Sequence, residues 1–185
     1  MEAIFAKYAS TVDGSGNGTD KNTCHSYLPV YKSVLEPLRD KPLRLLEIGV
    51  MTGASLRAWD EYFTHPDKDI HGADIRPDWL KYEVKNYHVV DATRPSALNE
   101  LPGEWDVVID DASHIPEHQM QSLNVFGPKV KPGGYYIIED IVSLDVAQEL
   151  YGAGDKLGFD VTLHDLRPIK NRFDDIMLVL KKKVE

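Results

Sequence analysis

The feature that most limits how this chain can fold is an alternation of short apolar runs with helix-length segments. Residues 43–48, 69–74, 87–90, 105–110 and 135–139 read as strands, the fourth strongly β-branched. Residues 55–63 place Leu56, Trp59, Tyr62 and Phe63 at helical spacing, and further helices are expected over about 116–126 and 144–151. Lys131-Pro132-Gly133-Gly134 reads as a turn ahead of the fifth strand. Two last runs, 159–164 and 175–180, follow with no helix expected between them, which predicts an antiparallel pair. Strands that alternate with helices build a mostly parallel sheet covered on both faces. The expected fold is α/β, with seven strands and a C-terminal antiparallel hairpin.

Sheets of this kind bind ligands beyond the carboxyl ends of their strands, where strand order reverses. Glu47, Asp74, Asp91, Asp110, Asp111, Glu139 and Asp140 all fall at such ends. Acids are disfavoured inside strands, so some of this placement needs no function. Seven such residues exceed that tendency.

Composition excludes several classes. With 185 residues, 42% of them hydrophobic, the chain can bury one core, so a single domain over 1–185 is expected. A net charge of −9, from 21 basic and 30 acidic residues, argues against nucleic acid as a partner. The lone Cys24 excludes an internal disulfide and a cysteine-rich zinc site. No apolar run approaches the ~20 residues of a membrane span, and 1–7 lacks the pattern of a signal peptide. A cytoplasmic protein with no membrane partner is expected; oligomeric state is not readable. Asp13-Gly14-Ser15-Gly16-Asn17-Gly18-Thr19-Asp20 is either a linker or a mobile cover. Residues 1–40 are expected to form a helical or lid segment over the site.

The loop Glu47-Ile48-Gly49-Val50-Met51-Thr52-Gly53-Ala54-Ser55 joins the first strand to its helix. Gly49 allows a sharp turn, and Gly53 lets the helix start approach a ligand or the sheet. A dinucleotide fingerprint would place its second glycine at Met51, which disfavours NAD, and no P-loop lysine is in register. S-adenosylmethionine (SAM) fits the loop better. Its carboxylate suits the free N–H groups at the helix start, near Ser55. Asp74 would accept from its ribose diol and Asp91 from its adenine amino group. Taken alone, the two glycines are equally consistent with ordinary turns.

Asp110-Asp111-Ala112-Ser113-His114 ends the fourth strand, and Glu139-Asp140 ends the fifth. Neighbouring strand ends bring these acids together, and their mutual repulsion calls for protons or a cation. Carboxylate donors favour magnesium, with manganese or calcium as alternatives. Backbone alternation is expected to send one acid of each pair away; Asp111, Glu139 and Asp140 are the preferred ligands. Asp110 is expected to face the SAM side or its own loop. Helix capping next to Pro116 is the plain alternative for Asp110 and Asp111. His114, with an ordinary pKa near about 6.5, suits removal of a hydroxyl proton. A His114–His118 zinc pair is disfavoured, because Pro116 starts the helix between them.

The Glu47-Ile48-Gly49-x-x-x-Gly53 segment resembles motif I of the class I SAM-dependent methyltransferases, whose fold is a Rossmann-like sheet with the same final hairpin. Asp111-Ala112-Ser113-His114 followed by Glu139-Asp140 narrows the resemblance to metal-dependent sugar O-methyltransferases of the macrolide deoxysugar type. The resemblance implies that Asp111, Glu139 and Asp140 bind magnesium and that His114 is the base, acting beside Asp111. The segment Gly18-Thr19-Asp20-Lys21, with His25, Tyr27 and Tyr31, is also similar to related proteins. It implies that Lys21 meets the SAM carboxylate and that His25 or Tyr27 meets the acceptor; for Tyr31 a core role is favoured. The larger N-terminal region of the macrolide enzymes is not expected in this chain. The implied function is methyl transfer from SAM to a sugar hydroxyl on a small molecule or glycan. A catechol-type O-methyltransferase and a non-catalytic SAM-binding protein are the alternatives.

Overall fold

In the computed structural model, which describes residues 1–11 and 15–184, all the expected strands form one seven-stranded sheet. The chain opens with the short helices α1 (Glu2–Phe5) and α2 (Leu28–Leu35). β1 (Arg44–Ile48) leads into α3 (Ala54–Tyr62), then come β2 (Asp69–Asp74), β3 (Asn86–Val89) and α4 (Ala97–Glu100). β4 (Trp105–Asp110), α5 (Pro116–Phe126), β5 (Val130–Ile138) and α6 (Leu144–Lys156) follow. β6 (Phe159–Asp165), α7 (Arg167–Lys170) and β7 (Ile176–Lys182) close the chain. Asp13 and Gly14 of the glycine-rich stretch lie outside the described residues.

The sheet order is β3-β2-β1-β4-β5-β7-β6. β1 to β5 run parallel, and β7 pairs antiparallel with both β5 and β6. The predicted hairpin is present, with β7 inserted beside β5. Two local expectations need correction. The segment read as a turn at Lys131-Pro132-Gly133-Gly134 belongs to β5, which absorbs it through a register shift opposite Trp105 and Val107. The hairpin connection, expected to be free of helix, contains the four-residue α7.

Side-chain alternation builds two cores. Leu46, Val108, Tyr136 and Ile138 face α5 and α6, while Leu45, Val107, Ile109 and Ile137 face α2 and α3. The aromatic block of Phe5, Tyr31, Trp59, Tyr62 and Phe63 lies on the second side, with Phe5 edge-on to Trp59 at 4.6 Å. α2 and the segment before it therefore cover the same face as α3. No helix among the described residues is long and apolar enough to cross a membrane.

Register fixes where the site sits. Ile48 pairs with Asp110, and Asp110 with Ile138. Beyond these pairs the Asp111 N–H bonds to the Ile48 carbonyl at 2.8 Å, and the Glu139 N–H to the Asp110 carbonyl at 3.0 Å. The chain winds outward from β1 to β3 and returns to β4, so Gly49, Asp111 and Glu139 lie side by side where strand order reverses.

Candidate active site

Turns beyond β1 open a cavity of about 500 Å³. Its floor is the loop from Gly49 to the start of α3. Gly49 has φ +87°, and a Cβ there would fall 2.0 Å from the Asp111 carbonyl oxygen. Only glycine allows β1 and β4 to end this close together. Gly53, at φ +86°, is the residue before the first turn of α3. Both loop glycines thus occupy positions that demand them. Ser55 lines the cavity and donates from Oγ to Glu47 at 2.7 Å.

Four acids, Asp20, Asp74, Asp91 and Asp111, line this cavity. Asp74 Oδ2 accepts the Val50 and Met51 N–H groups at 2.8 and 3.0 Å, and Oδ1 accepts that of Arg76 at 2.9 Å. Asp91 accepts from the Thr93 backbone and hydroxyl and from Arg94, and these bonds hold its pKa below the ordinary carboxylate value. An acid-lined cavity lowers the energy of a cationic ligand inside it. Trp79 borders the same cavity with the Arg76 guanidinium 4.7 Å above its ring, whereas Trp59 and Trp105 are buried core residues.

One end of the cavity meets the predicted metal cluster. His114 Nε2 lies 3.3 Å from Asp111 Oδ1 and 3.3 Å from Asp140 Oδ2. Donor atoms of these three residues fall within 4.8 Å of one another. Burial alone would lower the His114 pKa, but the Asp111 hydrogen bond and the charges of Asp140 and Asp111 lift it to about 9. Burial pushes Asp140 up to about 7. Among the described residues, four non-glycine positions have positive φ, and three of them, Met51, His114 and Asp140, belong to this region. Such backbone costs of the order of 1–3 kcal/mol each and persists where surrounding contacts enforce it. His118 does not join His114; it lines the cavity and bonds to Ser113 Oγ at 2.8 Å.

No protein-family model matches the chain. It is 35% identical over 136 residues to the 8-demethyl-8-alpha-L-rhamnosyl tetracenomycin-C 2'-O-methyltransferase of Streptomyces olivaceus, covering 68% of this chain and 35% of that protein. Over 128 residues it is 38% identical to the demethylmacrocin O-methyltransferase of Streptomyces fradiae, covering 63% of this chain and 32% of that one. The chain thus spans about a third of the length of these curated relatives. Among solved structures, the MycE methyltransferase of the mycinamycin biosynthetic pathway, in complex with Mg, SAH and mycinamycin VI, superposes with a TM-score of 0.73. That match is 25% identical and covers 98% of this chain and 54% of MycE. The chain has the class I methyltransferase fold.

Within this methyltransferase fold, several residues expected at the cofactor lie behind the cavity wall instead. Lys21 is fully buried, with Nζ 2.8 Å from both Glu139 carboxylate oxygens, 2.5 Å from Asp111 Oδ2 and 3.3 Å from Glu47 Oε1. Burial opposes its charge, yet the three carboxylates hold its pKa well above the ordinary lysine value. Glu47 points with Leu45 toward α3, bonds to Ser55 and sits 3.5 Å from Trp59 Nε1. Asp110 points to the other face, where Tyr136 donates to it at 3.3 Å, and burial pushes it up to about 7. Glu139 is engaged by Lys21 and by the Tyr31 hydroxyl. Three carboxylates around one ammonium leave surplus negative charge, and burial raises both Glu47 and Glu139.

The segment before α2 is woven into the wall behind this site. His25 and Tyr27 are buried outside the cavity wall and turn onto Asp140. Gln119, which sequence reasoning passed over, donates to the Glu139 carbonyl at 2.9 Å. Tyr31, expected in the core, does pack edge-on to Trp59 at 4.9 Å, but its hydroxyl belongs to Glu139. The exposed segment that holds α7 is tied to the one before α2 by Lys170, which donates to the carbonyls of Asn22 and His25 at 2.6 and 2.5 Å. The sequence signal for this network was Lys21, His25, Tyr27 and Tyr31 at fixed offsets, the last of them inside α2.

Proposed function

We propose that this chain is the catalytic domain of a SAM-dependent, divalent-metal-dependent O-methyltransferase that methylates a sugar hydroxyl on a small molecule or glycan. The observation that carries the proposal is His114 Nε2, 3.3 Å from one oxygen each of Asp111 and Asp140, at the edge of the acid-lined cavity. The names of the relatives and the Mg, SAH and mycinamycin VI bound to MycE support it.

The residues present fit both groups. Gly49, Ser55, Asp74 and Asp91 line a cavity within the roughly 300–1,000 Å³ range of small-molecule sites, and Gly53 sets the start of α3 beside it. A cationic sulfonium suits its acidic lining. Asp111 and Asp140 offer hard oxygen donors beside a buried surplus of negative charge, which suits Mg²⁺, Mn²⁺ or Ca²⁺. Glu139, expected as a third ligand, is instead engaged by Lys21 and Tyr31 and lies outside this cluster. When bound, a divalent ion lowers the pKa of an acceptor hydroxyl and offsets the carboxylate charges that hold His114 protonated.

The chain's own part is positional. Cavity and cluster share Asp111 and His114, so a donor methyl and an acceptor hydroxyl would meet between them. His114, in its neutral form, takes the hydroxyl proton. The acceptor oxygen forms its bond to the methyl carbon as the carbon–sulfur bond breaks, and the sulfonium departs as a neutral thioether. Gly18, Thr19 and Asp20 border the cavity and would shield it as a cover.

The test is methyl transfer from labelled SAM to a panel of free sugars, glycosylated natural products, glycans and catechols. Transfer to a sugar acceptor, abolished by chelation and restored by Mg²⁺, is the expected result. Full-speed transfer by the chelated protein would overturn the metal assignment, and transfer to catechols alone the acceptor class. SAM binding without transfer to any acceptor would favour a binding protein.

A further inference from the structure

We infer that Tyr27 is a positioning residue whose hydroxyl clamps Asp140 and aims one of its carboxylate oxygens at the ion-binding cluster; the inference rests on the metal-dependent function proposed above. Tyr27 is fully buried and absent from the cavity wall, so it is not placed to touch an acceptor. Its hydroxyl donates to Asp140 Oδ1 at 2.8 Å and accepts the Asp140 backbone N–H at 3.2 Å. One phenol oxygen thereby holds both the side chain and the main chain of the same residue.

That residue needs holding. Asp140 has φ +51°, a left-handed conformation that disfavours any side chain with a Cβ. It follows directly on Glu139, whose carboxylate turns the opposite way, onto Lys21. The left-handed turn separates the two adjacent acids. With Oδ1 taken by Tyr27, Oδ2 faces His114 Nε2 at 3.3 Å and joins Asp111. His25 stacks on the Tyr27 ring at 4.8 Å, with Nδ1 3.1 Å from Asp140 Oδ1 and 3.4 Å from Asp175 Oδ1. Packing alone would be served by phenylalanine. The hydroxyl is what meets Asp140, and burial makes its hydrogen bonds directional and costly to lose. Groups that orient metal ligands in this way typically contribute about 10–100-fold to metal affinity.

The experiment compares Mn²⁺ affinity by electron paramagnetic resonance titration with SAH affinity by calorimetry in the full chain. Tyr27→Phe is expected to weaken Mn²⁺ binding about 10-fold or more while SAH affinity stays within a few-fold of the original. A hydroxyl that only supported the fold would lower both affinities together with thermal stability. Tyr27→4-aminophenylalanine, which keeps a donor at the same place, is expected to restore Mn²⁺ binding. Mn²⁺ affinity unchanged in Tyr27→Phe overturns the inference. If Tyr27→Phe fails to fold, Tyr27→Phe/Asp140→Asn is compared with Asp140→Asn. Equal Mn²⁺ affinities then support the clamp, and a further large loss overturns it, because Tyr27 would be acting by a route other than Asp140. Failure of the unaltered protein to bind Mn²⁺ at all would count instead against the proposed function.

Discussion

Lys21 Nζ lies 2.8 Å from each carboxylate oxygen of Glu139, with neither side chain open to solvent. The pair couples the segment before α2 to the end of β5, and Asp111 and Glu47 complete the ammonium's surroundings. Removing one partner of a buried ion pair strands the others, at a cost of about 3–5 kcal/mol. Lys21→Met is therefore expected to lose stability by that order in urea denaturation. Lys21→Met/Glu139→Gln should recover part of the loss, because one stranded charge has gone. Unchanged stability in the single variant would show that the acids are held by some other means.

His114→Ala is expected to leave SAH affinity nearly unchanged and to lower kcat by about 10²–10⁴-fold, the range for losing a general base. Isothermal calorimetry and single-turnover methyl transfer measure the two quantities separately. Equal losses in binding and turnover would instead make His114 a support for the cavity wall.

Gly49→Ala tests the meeting of β1 and β4. The added methyl would fall 2.0 Å from the Asp111 carbonyl oxygen at φ +87°. Backbone must move, so a loss of roughly 2–4 kcal/mol is expected, with weakened SAH binding. A variant as stable as the parent would mean the two strand ends are free to separate.

Asp110 supplies a pH test. Burial raises its folded-state pKa to about 7, above the ordinary carboxylate value. The folded protein then favours the protonated acid, so this contribution is fully present below about pH 4 and is lost as pH rises to about 7. Each pH unit across that window costs about 1.4 kcal/mol. Asp110→Asn removes the penalty. The stability difference between variant and parent, from denaturation at several pH values, should grow in the variant's favour between about pH 4 and 7. A difference that stays flat over this window would refute the shift.

Much of the architecture was legible because its signals are local. Apolar runs of strand length, a helix opening at Pro116 and the Gly49 and Gly53 pair each report the conformation of a few neighbouring residues. Strand ends were therefore identifiable, and with them Asp74, Asp91, Asp111 and His114, all of which line the cavity. β7 sitting between β5 and β6 was not legible, because antiparallel pairing with either neighbour satisfies the same hydrophobic pattern.

Partner choice among the charged groups was beyond the sequence. Period-two alternation separates Asp110 from Asp111, but it does not say that Tyr136 waits on one face and Lys21 on the other. Lys21, His25 and Tyr27 carry chemistry that suits a cofactor or an acceptor equally well, and only burial behind the cavity wall commits them to Glu139 and Asp140. By itself the sequence determined which residues end the strands, since that follows from backbone preference over short distances. The tertiary structure decided which acid receives Lys21, which Tyr27 and which His25, since those contacts join groups some 90 to 118 residues apart and form only when the sheet is assembled.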